Sequence, residues 1–327
     1  MSHEVWSGKR VLVTGANGFI GRSLTQTLIE RGAEVVILVR DEHPQAFRLF
    51  AETHSKLAAV VRGDVLDLPL LTRIFNSYGV EVAFHLAAQA IVPISNRSPL
   101  MTLEPNIRGT WNVLEAARNA ARIEALVVAS SDKAYGEPTE LPITEDHPLL
   151  ASNPYDVSKA CADLLSRAYG KTYGLPLSVT RCSNVYGGGD LNFSRIVPST
   201  IRALVLGQRP AIRSDGRPVR DYMYISDAVS AYMRLAENSA RSDIRCRAFN
   251  FGTEKPTAVV DVVRALIAIS GRELEPVIEN TASNEIVAQY VSCKAARELL
   301  GWQARIPLKD GLIRTFEWYS ANRWVFS

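Results

Sequence analysis

The sequence predicts an α/β fold: a doubly wound parallel sheet of the Rossmann type, with a smaller mixed α/β C-terminal region packed on one edge. Three features predict it: six short apolar runs, stretches of helical spacing between them, and a glycine-rich turn directly after the first run. Arg10 to Thr14 is that first run, unbroken and rich in β-branched residues. Gly15 to Gly21 is the turn, Leu24 to Arg31 has helical spacing, and Gly32 stands where a helix C-cap is expected. Glu34 to Val39, Ala58 to Arg62, Val80 to Ala88, Ala125 to Ser130 and Leu177 to Arg181 supply the other five runs. Continuous rather than alternating apolar strands are what a parallel sheet covered on both faces requires. Right-handed crossovers between them then wind the sheet in both directions.

The pattern loosens after Tyr186, at the flexible stretch Gly187-Gly188-Gly189-Asp190. Helices are expected near Pro198 to Gly207, from Ser226, near Ala258 to Ile269 and from Gly311 to Asn322, with a turn at Ser214-Asp215-Gly216. Residues 1–182 thus form the sheet domain and 183–327 mainly the smaller region, with the chain expected to re-enter the first domain later. A cleft between the two is expected.

The 327 residues suffice for a sizeable core, and 47% apolar with 22% charged residues excludes a disordered or fibrous chain. A net charge of +3 with scattered Lys and Arg argues against nucleic acid as the main ligand. No apolar run approaches the ~18–20 residues that span a bilayer, so no membrane partner is expected. Met1 to Lys9 is polar and lacks the apolar core of an export signal. The four cysteines, Cys161, Cys182, Cys246 and Cys293, are far apart and read as reduced thiols. Together these features predict a cytoplasmic protein. His43, His54 and His147 lack partners at metal-ligand spacing, so no metal is expected.

The turn Gly15-Ala16-Asn17-Gly18-Phe19-Ile20-Gly21 has the form G-x-x-G-x-x-G, follows a strand and opens a helix. Glycines let the backbone approach a pyrophosphate, whose charge meets free N–H groups and the positive end of the helix dipole. A dinucleotide is therefore expected on Gly15, Asn17, Gly18, Phe19, Ile20 and Gly21. At the end of the second run, Asp41 favours NAD by bonding the ribose, while Arg40 allows NADP. The reading leans to NAD. Asp64, after the third run, is placed to accept from the adenine amino group or to cap a helix.

Tyr155 and Lys159 stand four apart, on one face of a helix that Pro154 can start. A phenol is a poor base at neutral pH, and a lysine one turn away beside a positive nicotinamide favours the phenolate. Tyr155 can then take the proton of a substrate hydroxyl while hydride leaves the same carbon. Ser131, at the carboxyl end of the fifth run, is placed to bond that hydroxyl, and Asp132 and Lys133 set an acid and a base beside it.

These residues resemble the extended short-chain dehydrogenase/reductase superfamily, in its nucleotide-sugar epimerase/dehydratase branch. The likeness rests on the glycine turn, His85-Leu86-Ala87-Ala88-Gln89, Ser131 with Tyr155 and Lys159, Arg181-Cys182-Ser183-Asn184-Val185-Tyr186-Gly187, and Val219-Arg220-Asp221-Tyr222. Ser130-Ser131-Asp132-Lys133 and Asn184 to Asp190 look most like CDP-glucose 4,6-dehydratases, as in outline does Asp41 through Phe50. Three features depart from that subgroup: a shorter chain, a generic glycine turn and an Arg220-Asp221-Tyr222 motif common to the whole branch.

The resemblance implies a nucleotide-diphosphate sugar as substrate. Hydride would leave C4 for NAD, water would be lost across C5 and C6, and hydride would return to C6, giving a 4-keto-6-deoxyhexose. Asp132 would protonate the departing 6-hydroxyl, and Lys133, standing where relatives carry glutamate, would serve at C5. It implies further that Val65, Leu86, Ala87, Ala88 and Gln89 line the cofactor and that Gln89 and Asn184 lie by the substrate. Arg195 and Arg220 are the natural diphosphate partners, since guanidinium binds phosphate in bidentate fashion. Arg213 is a further candidate; the arginine that relatives often place near Ser283-Asn284-Glu285 is absent. A homodimer through Thr102 to Asn119 and Pro154 to Tyr173 is a family expectation. A 4-epimerase on the same scaffold is the alternative, which has no use for Asp132 and Lys133. A non-catalytic NAD(P)-sensing module would have no use for Tyr155 or Lys159.

Overall fold

In the computed structural model, which describes residues 5–41, 44–281 and 286–327, a seven-stranded parallel sheet forms the centre. Its first six strands are β1 (Arg10–Thr14), β2 (Glu34–Val39), β3 (Ala59–Arg62), β4 (Val82–His85), β5 (Ala125–Ala129) and β6 (Leu177–Cys182). The first seven helices fall among them: α1 (Phe19–Glu30), α2 (Pro44–His54), α3 (Leu68–Ser77), the short α4 (Val92–Arg97) and α5 (Leu100–Leu103), α6 (Gly109–Arg118) and α7 (Pro154–Tyr173). The chain then makes β7 (Asn184–Tyr186), α8 (Ile196–Val205), β8 (Ala211–Ile212), β9 (Val219–Arg220), β10 (Tyr222–Tyr224) and α9 (Ile225–Ala236). Next come β11 (Ala248–Phe251), β12 (Thr257–Ala258), α10 (Val259–Ile269), β13 (Val277–Ile278), β14 (Ala288–Gln289), α11 (Lys294–Leu300) and α12 (Leu308–Ala321).

The sheet order is β11-β6-β5-β4-β1-β2-β3. The seventh strand, β11, returns from residue 248 to pair with β6, so the sheet is one strand wider than the six apolar runs predict. Alternate side chains of β1 serve two cores: Val11 and Val13 join the cluster that holds Leu24 and Leu28 of α1 and the apolar face of α9. Leu12 faces the other way, into a cluster with Leu71 and Phe75 of α3 and Val113 and Leu114 of α6. Burial on both sides is why these strands carry no polar alternation. A third cluster, with Ile201 of α8, Val263 and Leu266 of α10 and Tyr319 of α12, is the core of the smaller region.

The run Val80 to Ala88 predicted a longer strand than forms. Strand β4 ends at His85 because its partner β1 ends at Thr14, and the freed backbone turns into the site. Strand order reverses between β1 and β4, which fixes the ligand crevice at their carboxyl ends. Ser131 follows the end of β5 and Cys182 ends β6 on the same edge.

Candidate functional site

One cleft of about 790 Å³ opens along that edge. Gly15, Gly18, Phe19, Ile20, Gly21, Leu86 and Ala88 line one end of it. Gly15 has φ +71°, and a side-chain carbon on it would lie 2.7 Å from Ala87 N. A carbon on Gly21 would lie 2.1 Å from the Gly15 carbonyl, so only glycine lets α1 start against the turn. The N-cap of α1 is Gly18, which has no side chain to satisfy the first-turn N–H groups.

Other residues expected at this end lie off the cleft wall. Asn17 donates from Nδ2 to the Asp41 carbonyl at 2.7 Å, tying the turn to the end of β2. Arg40 and Asp41 are exposed and paired with each other at 2.6 Å, and Arg40 lies 4.0 Å from Asp64. Asp64 caps no helix: its Oδ1 accepts from Leu66 N, and the N-cap of α3 is Asp67. Val65 is buried in the core, its carbonyl taken by Asn112. Ala87 donates its N–H to Thr14 Oγ1. Gln89 accepts from Ile91 N through its side chain, while Asn106 Oδ1 accepts from Gln89 N.

Ser131, Asp132, Lys133, Tyr155 and Lys159 all line the middle of the cleft. Pro154 begins α7 as expected from the sequence, and it sets Tyr155 and Lys159 one turn apart. Burial pushes the Tyr155 phenol up to about 12; the charge of Arg195 and the Ser131 hydroxyl work against this rise. The sequence expectation gave the lowering role to Lys159, but that side chain turns its Nζ to the Ala129 carbonyl at 2.8 Å. Burial holds Lys159 down to about 8. Asp132 is 1% exposed and accepts from Ser131 Oγ at 3.1 Å and from Lys133 Nζ at 3.4 Å.

Gln289, Asn106 and Arg22 escaped the sequence reading, whereas His85 belongs to the motif at the end of the fourth run. Gln289 of β14 is fully buried, and its Oε1 accepts from Lys133 Nζ. Asn106 lies in a π-helical turn, Glu104–Arg108, and donates to Ser158 Oγ and the Gln89 carbonyl, bracing α7 against the loop after β4. His85 shares hydrogen bonds with Thr14 and Thr110, and burial, followed by the Lys159 charge, lowers it to about 3, so it stays neutral. Arg22 of α1 is buried and donates to the Gly189 carbonyl, joining the glycine turn to the loop after β7.

Asn184, Arg195, Arg213 and Arg220 line the far end of the cleft. Arg195 is paired with Asp190 at 2.8 Å, Arg213 donates to the Ser194 carbonyl, and Arg220 to the Val219 carbonyl. Cys161, Cys182, Cys246 and Cys293 are free thiols, and burial pushes Cys182 up to about 12. Among the described residues no group of three or more His, Cys, Asp or Glu is arranged to hold a metal, and no helix is long and apolar enough to cross a membrane. His43 and the stretch 283–285 lie outside the described residues.

The sequence model of the NAD dependent epimerase/dehydratase family matches residues 11–252, which includes every strand of the central sheet but part of β1. The chain belongs to this family. It is 30% identical over 334 residues to the trifunctional UDP-glucose 4,6-dehydratase/UDP-4-keto-6-deoxy-D-glucose 3,5-epimerase/UDP-4-keto-L-rhamnose-reductase of Arabidopsis thaliana, covering 98% of this chain. The chain spans about half the length of that relative, 49%. The CDP-glucose 4,6-dehydratase of Salmonella typhimurium is 29% identical over 344 residues, with 98% of this chain and 92% of that one covered. Among solved structures, the UDP-glucose 4-epimerase of Thermotoga maritima with UDP-glucose superposes with a TM-score of 0.87 at 29% identity, covering 96% and 99% of the two chains. The fold of this epimerase/dehydratase chain therefore carries both reaction types among its relatives.

The site fits the dinucleotide of the family. Gly15 and Gly21 leave a cradle that side chains would fill, at the N-terminus of a 12-residue helix facing the cleft. Lys159 is a buried cation whose hydrogen-bond partner is a neutral carbonyl, and a ribose hydroxyl is a suitable further acceptor. Its burial also makes a stability prediction for this epimerase/dehydratase. Folding lowers its pKa from 10.5 to about 8, so between those values the unfolded chain binds more protons and stability rises with pH. Below about 8 both states hold the proton and the full cost of burying the charge is present. In melts without dinucleotide, Lys159→Met is therefore expected to exceed the wild type in Tm at neutral pH. That advantage should shrink as pH rises from 8 towards 10.5.

Proposed function

We propose that this chain is a nucleotide-diphosphate-hexose 4,6-dehydratase that uses NAD and yields a 4-keto-6-deoxyhexose. The observation that carries the reading is the buried Asp132 beside Lys133, in the same cleft as Tyr155 and Lys159. Interconverting configurations at C4 requires a hydride acceptor and one acid–base group; losing water across C5 and C6 requires two more groups. The Asp132–Lys133 pair meets that need.

NAD, when bound, would supply the hydride acceptor for C4 and a positive charge that favours the phenolate. Ser131 orients the C4 hydroxyl, and Tyr155 takes its proton. Asp132 delivers a proton to the departing 6-hydroxyl, which leaves as water, while Lys133 removes the proton of C5. Arg220 and Arg195, with Arg213 at the rim, hold the diphosphate, and Asn184 lies beside it. Gly15, Gly18 and the first turn of α1 receive the pyrophosphate of the cofactor. The lean to NAD over NADP rests on Asp41, which is paired with Arg40 and so tempers the arginine's pull on a 2′-phosphate.

The division of labour follows: residues 1–182, with β11 returning, serve the cofactor, and 183–327 mainly serve the nucleotide sugar. A homodimer is proposed through α5, α6 and α7, where Leu100, Met101, Trp111, Leu164 and Tyr173 are left exposed. Leu164→Glu is then expected to shift the mass in light scattering from two chains to one. CDP-glucose is one candidate substrate, since the motif Ser131-Asp132-Lys133 resembles enzymes that act on it.

The reading is tested by incubating the protein with CDP-, dTDP-, GDP- and UDP-hexoses and weighing the products. Loss of one water is expected from at least one of them. An isomer of unchanged mass supports 4-epimerisation instead, the reaction of the Thermotoga maritima structural relative.

A further inference from the structure

We propose that Gln289 is a positioning residue for Lys133, one that fixes the direction in which the lysine nitrogen faces the cleft. This rests on the dehydratase reading and deepens it. Gln289 comes from β14, far from Lys133 in sequence, and is fully buried. Its Nε2 donates to the carbonyls of Asp132 at 3.1 Å and Gly136 at 3.2 Å. Two backbone acceptors at one end of the amide settle its orientation, because a reversed amide would set oxygen against oxygen. The Oε1 is therefore locked on Lys133 Nζ.

The charged groups facing that nitrogen are the Asp132 carboxylate on its own segment and Asp156 on α7. Gln289 and Asp132 each accept one hydrogen from Nζ. An ammonium has three, so the third points away from both partners, and Lys133 lines the cleft. Once the ammonium has passed one proton along its hydrogen bond to Asp132, which thereby becomes the acid for the 6-hydroxyl, the nitrogen keeps two hydrogens on Gln289 and Asp132 and turns its lone pair to the cleft. It can then accept the C5 proton as the C5–C6 double bond forms and the 6-hydroxyl leaves with the proton of Asp132. A proton from the same nitrogen, exchanged with solvent in the meantime, returns to C5 when hydride is restored to C6. Without Gln289 the flexible lysine has one anchor, and its lone pair is no longer aimed.

The test uses Gln289→Met, close in shape but without the amide, in NAD-loaded enzyme. The expected result is a kcat about 30-fold lower with KM nearly unchanged, since a misplaced group costs turnover rather than binding. Oxidation at C4 should continue, seen as a transient absorbance of reduced cofactor, which also shows that the variant is folded. Deuterium uptake from solvent into C5 should fall with kcat. In a Lys133→Met background, Gln289→Met should cost almost nothing more, because both changes remove one function. If the wild type dehydrates and Gln289→Met matches it in kcat and C5 exchange, the role of Gln289 is overturned while the dehydratase reading stands. If the wild type alters C4 alone, with no deuterium at C5, both are overturned.

Discussion

Tyr155→Phe is expected to lower kcat by about 10³-fold, within the range of a lost general acid–base group, with KM for the nucleotide sugar little changed. The substitution removes one oxygen and leaves the helix start at Pro154 and the Lys159 contact to Ala129 in place. The loss should appear in the first oxidation, so no transient of reduced cofactor forms in a stopped-flow trace. Burial keeps the phenol protonated up to about 12 even with Arg195 and Ser131 opposing it. The activity therefore needs a further opposing charge, the positive ring of bound NAD. A Phe variant within tenfold of the wild type would remove Tyr155 from the proton path.

Asp163→Asn is expected to destabilise the fold by about 3–5 kcal/mol, the cost of leaving a buried charge without its partner. Arg181 is 1% exposed and forms a two-pronged pair with Asp163, at 2.8 Å from Nε and 3.0 Å from Nη2. Its remaining contacts are neutral: the Tyr135 hydroxyl at 2.7 Å and the Glu145 carbonyl. The amide of Asn would oppose one N–H with another and return no charge. Asp163 lies one turn beyond Lys159 on α7, so the pair also fixes the helix that carries Tyr155 and Lys159 to β6. Urea titration followed by circular dichroism should show a lower midpoint at unchanged slope. An unchanged midpoint would mean that Arg181 finds water or another anion.

The sheet was legible because its strands, apart from the half-buried edge strand β3, are buried on both faces, and the apolar runs from Arg10 to Cys182 follow from that. Strand β11 escaped because Ala248–Phe251 is four residues long and carries Asn250, whose side chain serves Tyr135 and Ile143 rather than solvent. The cleft residues Ser131, Asp132, Lys133, Tyr155 and Lys159 were legible from spacing, since strand ends and helix faces are local features. Gln289 was not: a two-residue strand has no period, and its partner lies 156 positions away. Asn106 escaped because the π-helical turn that holds it, Glu104–Arg108, is too short to leave a period in the sequence. Arg22, which reads as a surface residue of α1, became visible only when the loop at Gly189 was seen to close over it.

The central claim is that Asp132 and Lys133 act at C6 and C5 of a sugar oxidised at C4 by the Tyr155 site. Its most direct test is to run the wild-type reaction in D₂O with the nucleotide hexose that is consumed, and to read the product by NMR. The expected product has a methyl group at C6, a ketone at C4 and deuterium at C5. A product that keeps its 6-hydroxyl and its original C5 hydrogen would contradict the account.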